Sequence, residues 1–342
     1  MYSDNIQHLQ SYEVDKAAWD DCIDHAPNGL VYALSWYLDV VSPSWEAIVV
    51  EKDARYLVCF PLPIMKIGKI KYIAHPVFCQ QLGIYYRDHQ YEKYTKQILK
   101  ILLTAFRYIP RLCFNTSNTW QVPSHPRLHA KTYYTHLLSL DNSYEKIRSG
   151  YHRDRRYRVN QAKKKNISIE SSDDINPLIS IFVRDTEEKI PSIGHDTNYS
   201  LLRSLFEAVK ANGRYELYYT LDDQGNHTSG CWFVIYNYRI IYLFNAALNG
   251  ARHENGRSLI IDHVIQKYQS SLYVLDFESP GIEAIDNFYS SFGSRPTPFY
   301  FFYYNNLPVV VRKLHRIKIQ IHRKILQLAY PRRKMPDIVL PS

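Results

Sequence analysis

Two acidic side chains lie where a sheet could organise proton transfer. Asp276 and Glu278 fall at the carboxyl end of a strand predicted over residues 272–278. Because α/β sheets bind ligands beyond the carboxyl ends of their strands, a carboxylate there is placed to accept a proton, directly or through water. The structural alternative is that these carboxylates only bond loop N–H groups or a neighbouring arginine.

A glycine-containing loop over residues 249–258 leads into a helix predicted at 257–268. A helix N-terminus offers unpaired N–H donors and the positive end of the helix dipole, and glycine lets an anion approach the backbone. The residues that could hold an anion here are Arg252, His253, Gly256, Arg257 and Ser258, with Asn245 on the preceding strand. The alternative is a glycine turn that only caps the helix.

Basic residues are concentrated in two runs. The formal net charge is +9, yet residues 146–165 contain nine Lys or Arg against one acid, and residues 312–334 contain nine and no acid. The rest of the chain is therefore acidic, and the local basicity predicts a local anionic partner.

The second basic run overlaps a stretch with amphipathic spacing. Apolar residues recur every three or four positions over 309–328, which predicts a helix with one cationic face. Three roles stay open for it: docking on the first domain, lying on an anionic membrane surface through 309–334, or binding nucleic acid.

Cysteine spacing and hydropathy exclude several classes of protein. The five cysteines are scattered without C-x-x-C spacing, which argues against a zinc site and a disulfide framework, so we expect no metal. No run approaches the roughly 18 apolar residues of a spanning helix, and residues 1–10 lack the apolar core of a signal peptide. We therefore expect a protein of the reducing cytoplasm.

Alternating helix and strand patterns must position these residues. In the first part, helices are predicted at 14–25, 35–41 and 90–107, and strands at 45–51, 56–61, 65–75 and 111–115. In the second part, strands are predicted at 133–140, 167–170, 215–221, 229–236, 240–248 and 272–278, with a final pair over 298–304, and helices at 143–165, 177–190, 200–212, 257–268 and 283–291. This order predicts an α+β fold of two domains, each a mixed, mostly antiparallel sheet flanked by helices.

The loop at 249–258 resembles that of the GNAT acyltransferase superfamily. The family pattern is Gln or Arg, two residues, Gly, one residue, then Gly or Ala, and here His253, Gly256 and Ser258 stand in those places. The resemblance implies that the N-terminus of the following helix holds the pyrophosphate of an acyl-coenzyme A donor.

Residues 285–293 resemble a second GNAT feature, a helix that ends in a tyrosine and is followed by an aromatic–glycine pair. In many GNAT enzymes this tyrosine gives a proton to the departing thiolate, so the resemblance implies Tyr289 as the general acid. A phenol suits the role because its ordinary pKa, about 10, is close to that of a thiol. The alternative is a tyrosine that only packs between helix and sheet.

The basic stretch 153–165 is similar to the opening of the second domain in Fem-type peptidoglycan aminoacyl ligases and the related BioF2-like and CelD-like acyltransferases. Segments 275–281 and 288–293 resemble the same branch. The resemblance implies tandem GNAT-like domains, which we place at 1–130 and 131–306, with a basic helix and tail at 307–342. Fem ligases usually have lysine at the place of Tyr289, which favours acyl-coenzyme A over aminoacyl-tRNA as the donor.

Two functions are compatible with these features. The leading hypothesis is an N-acyltransferase that moves an acyl or aminoacyl group from a thioester or ester donor to an amine on a cell-envelope or sugar precursor. The second is a catalytically silent module that binds an anionic ligand, such as a nucleotide-sugar or tRNA. In either case the basic tail offers attachment to the inner membrane surface.

Overall fold

The computed structural model describes residues 5–68, 70–165, 167–185, 196–251, 254–313 and 317. The elements of its first half are β1 (Asn5–Gln10), α1 (Lys16–His25), α2 (Ser35–Val41), β2 (Glu46–Lys52), β3 (Arg55–Leu62), β4 (Ile64–Ile67), β5 (Ile70–Ile73), β6 (Tyr85–Tyr86), α3 (Thr95–Ala105) and β7 (Tyr108–Cys113). The predicted opening helices and the β2–β3 hairpin are confirmed.

The first half contains an antiparallel sheet with the strand order β1-β2-β3-β6. Sequence reasoning missed β1, because its residues do not alternate clearly between apolar and polar; pairing with β2 is what makes it a strand. The single strand predicted at 65–75 was wrong. The chain forms the hairpin β4–β5 instead, which turns at Gly68 with a φ of +58°.

The second half begins with the long strand β8 (Leu128–Ser139). Its further elements are α4 (Tyr144–Ser149), α5 (Arg153–Lys164), β9 (Ser168–Ser171), α6 (Asn176–Asp185), α7 (Asp196–Asn212), β10 (Arg214–Leu221), β11 (His227–Tyr236), β12 (Arg239–Ala247), α8 (Gly256–Tyr268), β13 (Val274–Asp276), α9 (Glu283–Ser290) and β14 (Arg295–Asn305). The predicted β10–β11–β12 meander is confirmed. The end of the helix predicted at 177–190 lies outside the described residues.

The helix predicted over 143–165 is two helices, α4 and α5, separated at 150–152. Gly150 lies against Gly293, where a methyl group on Gly293 would come within 3.0 Å of the Gly150 carbonyl oxygen. The backbone N–H of His152 then donates to the carbonyl of Ser291 at 2.9 Å. These contacts hold the break against the end of α9, which local helix propensity does not reveal.

One eight-stranded sheet connects the two halves, with the order β7-β14-β8-β13-β12-β11-β10-β9. All neighbours are antiparallel except β12 and β13. The final strand pair predicted over 298–304 was wrong. These residues form one strand, because β14 pairs with β8 on one side and with β7 of the first half on the other.

Side chains of β14 complete the core of the first half. Phe302 is fully buried, and its ring centroid lies 4.5 Å from that of Phe114 and 5.9 Å from that of Trp120. A second apolar cluster joins α1 and α2 to α6, α7 and the sheet of the second half; among its members are Trp19, Tyr37, Phe206, Trp232 and Phe244. The two halves therefore share both backbone pairing and buried side chains.

The proposed domain limits can be placed on this structure. The boundary between residues 130 and 131 falls inside β8, and β7, from the first proposed domain, pairs with β14 from the second. Of the tail at 307–342, only 307–313 and 317 are described, with helical geometry at 309–313 and at 317. Most of the proposed membrane-facing stretch 309–334 therefore lies outside the described residues. Within the described ranges, no helix is both long and apolar enough to cross a bilayer.

Because β14 pairs with β7 of the first half and β8 of the second, its buried side chains should contribute to the stability of the fold. Replacing Phe302 by Ala should lower the free energy of unfolding by about 3–5 kcal/mol, because a fully buried ring is lost and a cavity remains. Lys131→Ala, at an exposed position on the adjacent strand β8, should change it by less than about 1 kcal/mol. Urea unfolding followed by tryptophan fluorescence measures both, and equal effects would contradict the role assigned to Phe302.

Candidate active site

The site begins where β12 and β13 separate. The two parallel strands pair only from Arg239 with Val274 to Ile241 with Asp276. β12 then continues to Ala247 against β11, whereas the chain after Asp276 stays on β8 through a 3.0 Å hydrogen bond from the Phe277 N–H to the His136 carbonyl. A gap therefore opens toward the carboxyl end of β12, where α8 begins.

Aromatic rings fill the narrow end of this gap. The ring of Tyr289 stacks on Phe277 with centroids 4.8 Å apart, and Tyr242 of β12 lies 6.1 Å from Tyr289. Tyr289 is 6% exposed. The gap is consequently open only beyond these rings, toward the beginning of α8.

A cleft of about 440 Å³ occupies the open part, bounded by α5, α8, α9 and the end of β12. The residues that line it are His152, Asp154, Arg155, Arg158, Ala247, Ala251, Asn255, Gly256, Arg257, Ser258, Ala284, Asn287, Phe288 and Ser291. Arginines outnumber carboxylates in this lining, so the cleft is suited to an anion.

Arg155 is the most enclosed of these cations, with 6% of its surface exposed. Its Nε donates to Ser291 Oγ at 2.8 Å, and an Nη donates to Ser258 Oγ. The guanidinium also lies over the ring of Phe288, 4.3 Å from the centroid. Burial, followed by the nearby charge of Arg158, lowers the pKa of Arg155 to about 10, so the group stays charged at neutral pH.

Arg257 contributes a second cation to the same ring. Its guanidinium carbon is 5.5 Å from the Phe288 centroid, and an Nη donates to Asn245 Oδ1 at 2.8 Å. Among the described residues, neither Arg155 nor Arg257 forms an ion pair, whereas Arg158 pairs with Asp154 at 2.7 Å. Arg155 is buried and Arg257 is half-buried, and cations held in this way without a counterion favour binding of an anion.

The first turn of α8 presents backbone donors beside these arginines. No acceptor for the N–H groups of Gly256, Arg257 and Ser258 is found in the described part of the chain. Gly256 is needed for packing, because a methyl group there would collide with the hydroxyls of Thr220 and Ser229 on the sheet. Glycine therefore brings the helix N-terminus down onto the strands.

A buried carboxylate fixes α5 against α8 and so places Arg155. Asp262 of α8 is fully buried and accepts a hydrogen bond from the Tyr151 hydroxyl at 3.1 Å. It also pairs with Lys163 of α5 at 2.8 Å. These contacts hold α5 at the N-terminal turn of α8.

Asp276 is engaged in structural contacts. The carboxylate is 1% exposed, pairs with Arg239 at 2.9 Å and accepts from the Thr135 hydroxyl at 2.6 Å and the Glu278 N–H at 3.1 Å. These contacts are of the kind described by the structural alternative for Asp276, in which the carboxylate bonds a loop N–H group or a neighbouring arginine.

Glu278 lies two residues beyond the end of β13, in the left-handed region with a φ of +47°. It is half-buried, and its Oε1 accepts from the hydroxyl of Tyr32 in the first half. Desolvation by the surrounding protein raises the pKa of Glu278 to about 8, and the backbone N–H of Gln80 opposes part of that rise. A carboxyl group with this pKa can exchange protons near neutral pH.

Charged groups of the cleft and beyond β13 affect Tyr289. Burial raises the pKa of the Tyr289 phenol, the charge of Arg257 lowers it, and Glu278 raises it. Both charged groups are therefore near enough to Tyr289 to affect its proton. The raised pKa keeps the phenol protonated at neutral pH.

The structure thus brings Asn245, Gly256, Arg257 and Ser258 together at one helix terminus. Arg252 and His253 lie outside the described residues. Sequence reasoning missed Arg155 and Phe288 as cleft residues. Spacing offered a signal for the first, because Arg155, Val159 and Ala162 follow the four- and three-residue steps of a buried helix face.

Within the described ranges, no cluster of three or more His, Cys, Asp or Glu side chains could hold a metal ion. All five cysteines are buried free thiols.

No protein-family model matches the sequence, and no curated protein matches it either. Solved structures are similar along most of the chain. The structure of FemX has a TM-score of 0.61 and 14% identity, with 88% of this chain and 98% of that chain covered. L-PGS from Bacillus licheniformis has a TM-score of 0.53 and 8% identity, with 87% and 94% covered.

A tandem GNAT protein from the clavulanic acid biosynthesis pathway has a TM-score of 0.51 and 10% identity, with 87% of this chain and 98% of that chain covered. At these identities the similarity concerns the fold. The chain has the α+β, tandem GNAT-like architecture of Fem-type proteins, which confirms the fold class and the resemblance predicted from the sequence.

Proposed function

We propose that the protein is an N-acyltransferase that transfers an acyl or aminoacyl group from a phosphate-bearing donor, acyl-coenzyme A, to an amine. The observation that carries the proposal is the pair of arginines at the N-terminus of α8, Arg155 buried and Arg257 half-buried, without an ion pair in the described part of the chain. They stand where two strands part, so an anionic donor bound there would direct its reactive end into the gap. The acyltransferase folds of FemX and the tandem GNAT protein support this reading.

The phosphates of acyl-coenzyme A would meet two kinds of hydrogen-bond donor in the cleft. Two guanidinium groups supply charge-assisted hydrogen bonds, and the N–H groups of the first α8 turn add the helix dipole. The hydroxyls of Ser258 and Ser291 hold Arg155 in place. In this proposal Arg252 and His253, which precede α8, add to the same anion site.

The reaction itself would use Glu278 and Tyr289 on opposite sides of the reacting carbonyl. Glu278, as the carboxylate, takes a proton from the acceptor ammonium, because an ammonium has no lone pair with which to attack. The C–N bond then forms and the C–S bond breaks. Tyr289 gives its proton to the departing sulfur and is reprotonated by the second proton that the nitrogen loses, so that one proton is released overall.

Asp276 is assigned a supporting part in this proposal. Its hydrogen bond to the Glu278 N–H fixes the backbone from which the base projects. The acceptor amine would approach from the side of Glu278, away from the cationic cleft. An amine on a cell-envelope or sugar precursor is the acceptor we propose.

Binding of the donor should depend on Arg155. In calorimetric titrations with acetyl-coenzyme A, Arg155→Gln should weaken binding about 10- to 100-fold, because a charge-assisted hydrogen bond contributes roughly 1.5–3 kcal/mol. Arg153→Gln, an exposed position on the same helix that does not line the cleft, removes the same charge and should have little effect. Equal losses in both variants would mean that only net charge matters. Arg155-dependent binding of tRNA without binding of acetyl-coenzyme A would replace the proposed donor.

Turnover should depend on the Tyr289 hydroxyl. Tyr289→Phe should reduce thiol release from acetyl-coenzyme A, assayed with glucosamine and a panel of other amines, by roughly 10²- to 10⁴-fold. Donor affinity should be unchanged, because the residue does not line the cleft. Tyr268→Phe, which removes a buried hydroxyl at the far end of α8, is the control. A wild type that binds donor but releases no thiol with any amine would instead support the binding module.

The raised pKa of Glu278 should also appear in the stability of the protein. The folded-state pKa, about 8, lies above the ordinary value of 4.5, so this group contributes most stability below pH 4.5 and loses it as the pH rises to about 8. The Glu278→Gln variant cannot ionise. Its free energy of unfolding relative to wild type should therefore increase between these pH values, by at most about 1.4 kcal/mol per pH unit. Urea unfolding at several pH values tests this, and a constant difference would place the carboxyl group in water.

A further inference from the structure

Residues of the first half reach the proposed base of the second half. The hydroxyl of Tyr32, in a short 3-10 turn at Val31–Ala33, donates to Glu278 Oε1. The Gln80 side chain donates from Nε2 to the carbonyl of Ser279 at 2.8 Å. Two hydrogen bonds from one half therefore converge on two consecutive residues of the other.

The backbone of Glu278 has an uncommon conformation that these bonds help to maintain. Its φ of +47° lies in the left-handed region, which costs a non-glycine residue energy and persists only where the surroundings determine it. On the opposite side the Glu278 N–H donates to Asp276. Glu278 is thus held at its backbone by the sheet and at its carboxyl group by the first half.

Tyr32 is itself rigidly placed. It is 1% exposed, and its ring meets that of Tyr37 edge to face with centroids 5.6 Å apart. Both rings belong to the apolar cluster that includes Phe244 on β12. The shared core therefore fixes the Tyr32 hydroxyl relative to the gap between β12 and β13.

We propose, on the basis of the proposed transferase function, that Tyr32 is a positioning residue: its hydroxyl holds the Glu278 carboxylate on the acceptor side of Tyr289. The first half would then complete the active site of the second. This assigns the first half a direct part in the reaction although the donor cleft is formed by α5, α8, α9 and β12.

The titration of Glu278 reports on this contact. Among the described residues, no Lys, Arg or His pairs with Glu278. The titratable groups on the surrounding elements are Tyr32, His136 on β8, Asp276 at the end of β13, and Asp286 and Tyr289 on α9. Asp276 is paired with Arg239 and Asp286 accepts from Ser279, so among the described residues the Tyr32 hydroxyl is the side-chain donor that contacts Glu278.

The experiment compares Tyr32→Phe with Tyr37→Phe, which removes a neighbouring buried hydroxyl that bonds only a backbone carbonyl. Carbon NMR of protein labelled at glutamate carboxyl groups gives the Glu278 midpoint, assigned by its loss in Glu278→Gln. Tyr32→Phe should raise the midpoint by about one pH unit, because a hydrogen bond to the charged form is lost. Thiol release at pH 7 should fall about tenfold and recover at higher pH. Tyr37→Phe should change neither.

Either of two results would overturn the role of Tyr32. One is an unchanged Glu278 titration midpoint in an active Tyr32→Phe enzyme, and the other is an equal shift of that midpoint in Tyr37→Phe. If Tyr32→Phe does not fold, 3-fluorotyrosine incorporated at position 32 keeps the shape and donates more strongly, so it should lower the midpoint. A shift in the other direction, or none, would also reject the proposal. If the wild type releases no thiol from acetyl-coenzyme A with any amine, the transferase function itself fails, which is a separate outcome.

Discussion

The ion pair between Asp276 and Arg239 fixes the point at which β12 and β13 separate. Asp276 also binds the Thr135 hydroxyl on β8, so its carboxylate ties three adjacent strands together at their last common position. Beyond Asp276 the strands β12 and β13 diverge. The cleft, the rings of Tyr242, Phe277 and Tyr289, and the side chain of Glu278 all lie beyond this point. Loss of one partner would leave a buried charge unpaired, which is a large penalty compared with the roughly 5–15 kcal/mol by which native folds are stabilised.

The distribution of charge favours binding of an anion in the cleft that contains Arg155 and Arg257. The chain outside its two basic runs is acidic, yet Arg155 and Arg257 come together on the ring of Phe288 without an ion pair in the described residues. Burial of Arg155 between serine hydroxyls reduces its hydration while neutral partners leave its charge uncompensated. A bound phosphate would supply the missing counterion, so the desolvation already imposed by the fold becomes a source of binding selectivity.

The sequence predicted most elements of the fold because the chemistry of each is local. The β10–β11–β12 meander, α8 and the strand that ends near Asp276 follow from apolar periodicity and turn residues. What it did not predict depends on distant contacts: β7 pairs with a strand almost two hundred residues later, and the break between α4 and α5 depends on Gly293. Asp276 and Glu278 looked equivalent as candidate bases. Their difference arises because one side chain faces Arg239 inside the sheet, whereas the left-handed backbone at the other turns it toward the first half.

The shared strand β14 and the shared core make the relative position of the two halves a property of folding rather than of a flexible linker. A hydroxyl on Tyr32 can hold Glu278 only if this relation is fixed to within the reach of a hydrogen bond, and burial of Phe302 and Phe244 against residues of the first half supplies that precision. The cationic cleft is lined by α5, α8 and α9, while Glu278 accepts a hydrogen bond from Tyr32 of the first half. In the proposed reaction the two substrates would therefore bind at separate places: the second half would hold the acyl donor, and both halves together would form the surface that the amine contacts.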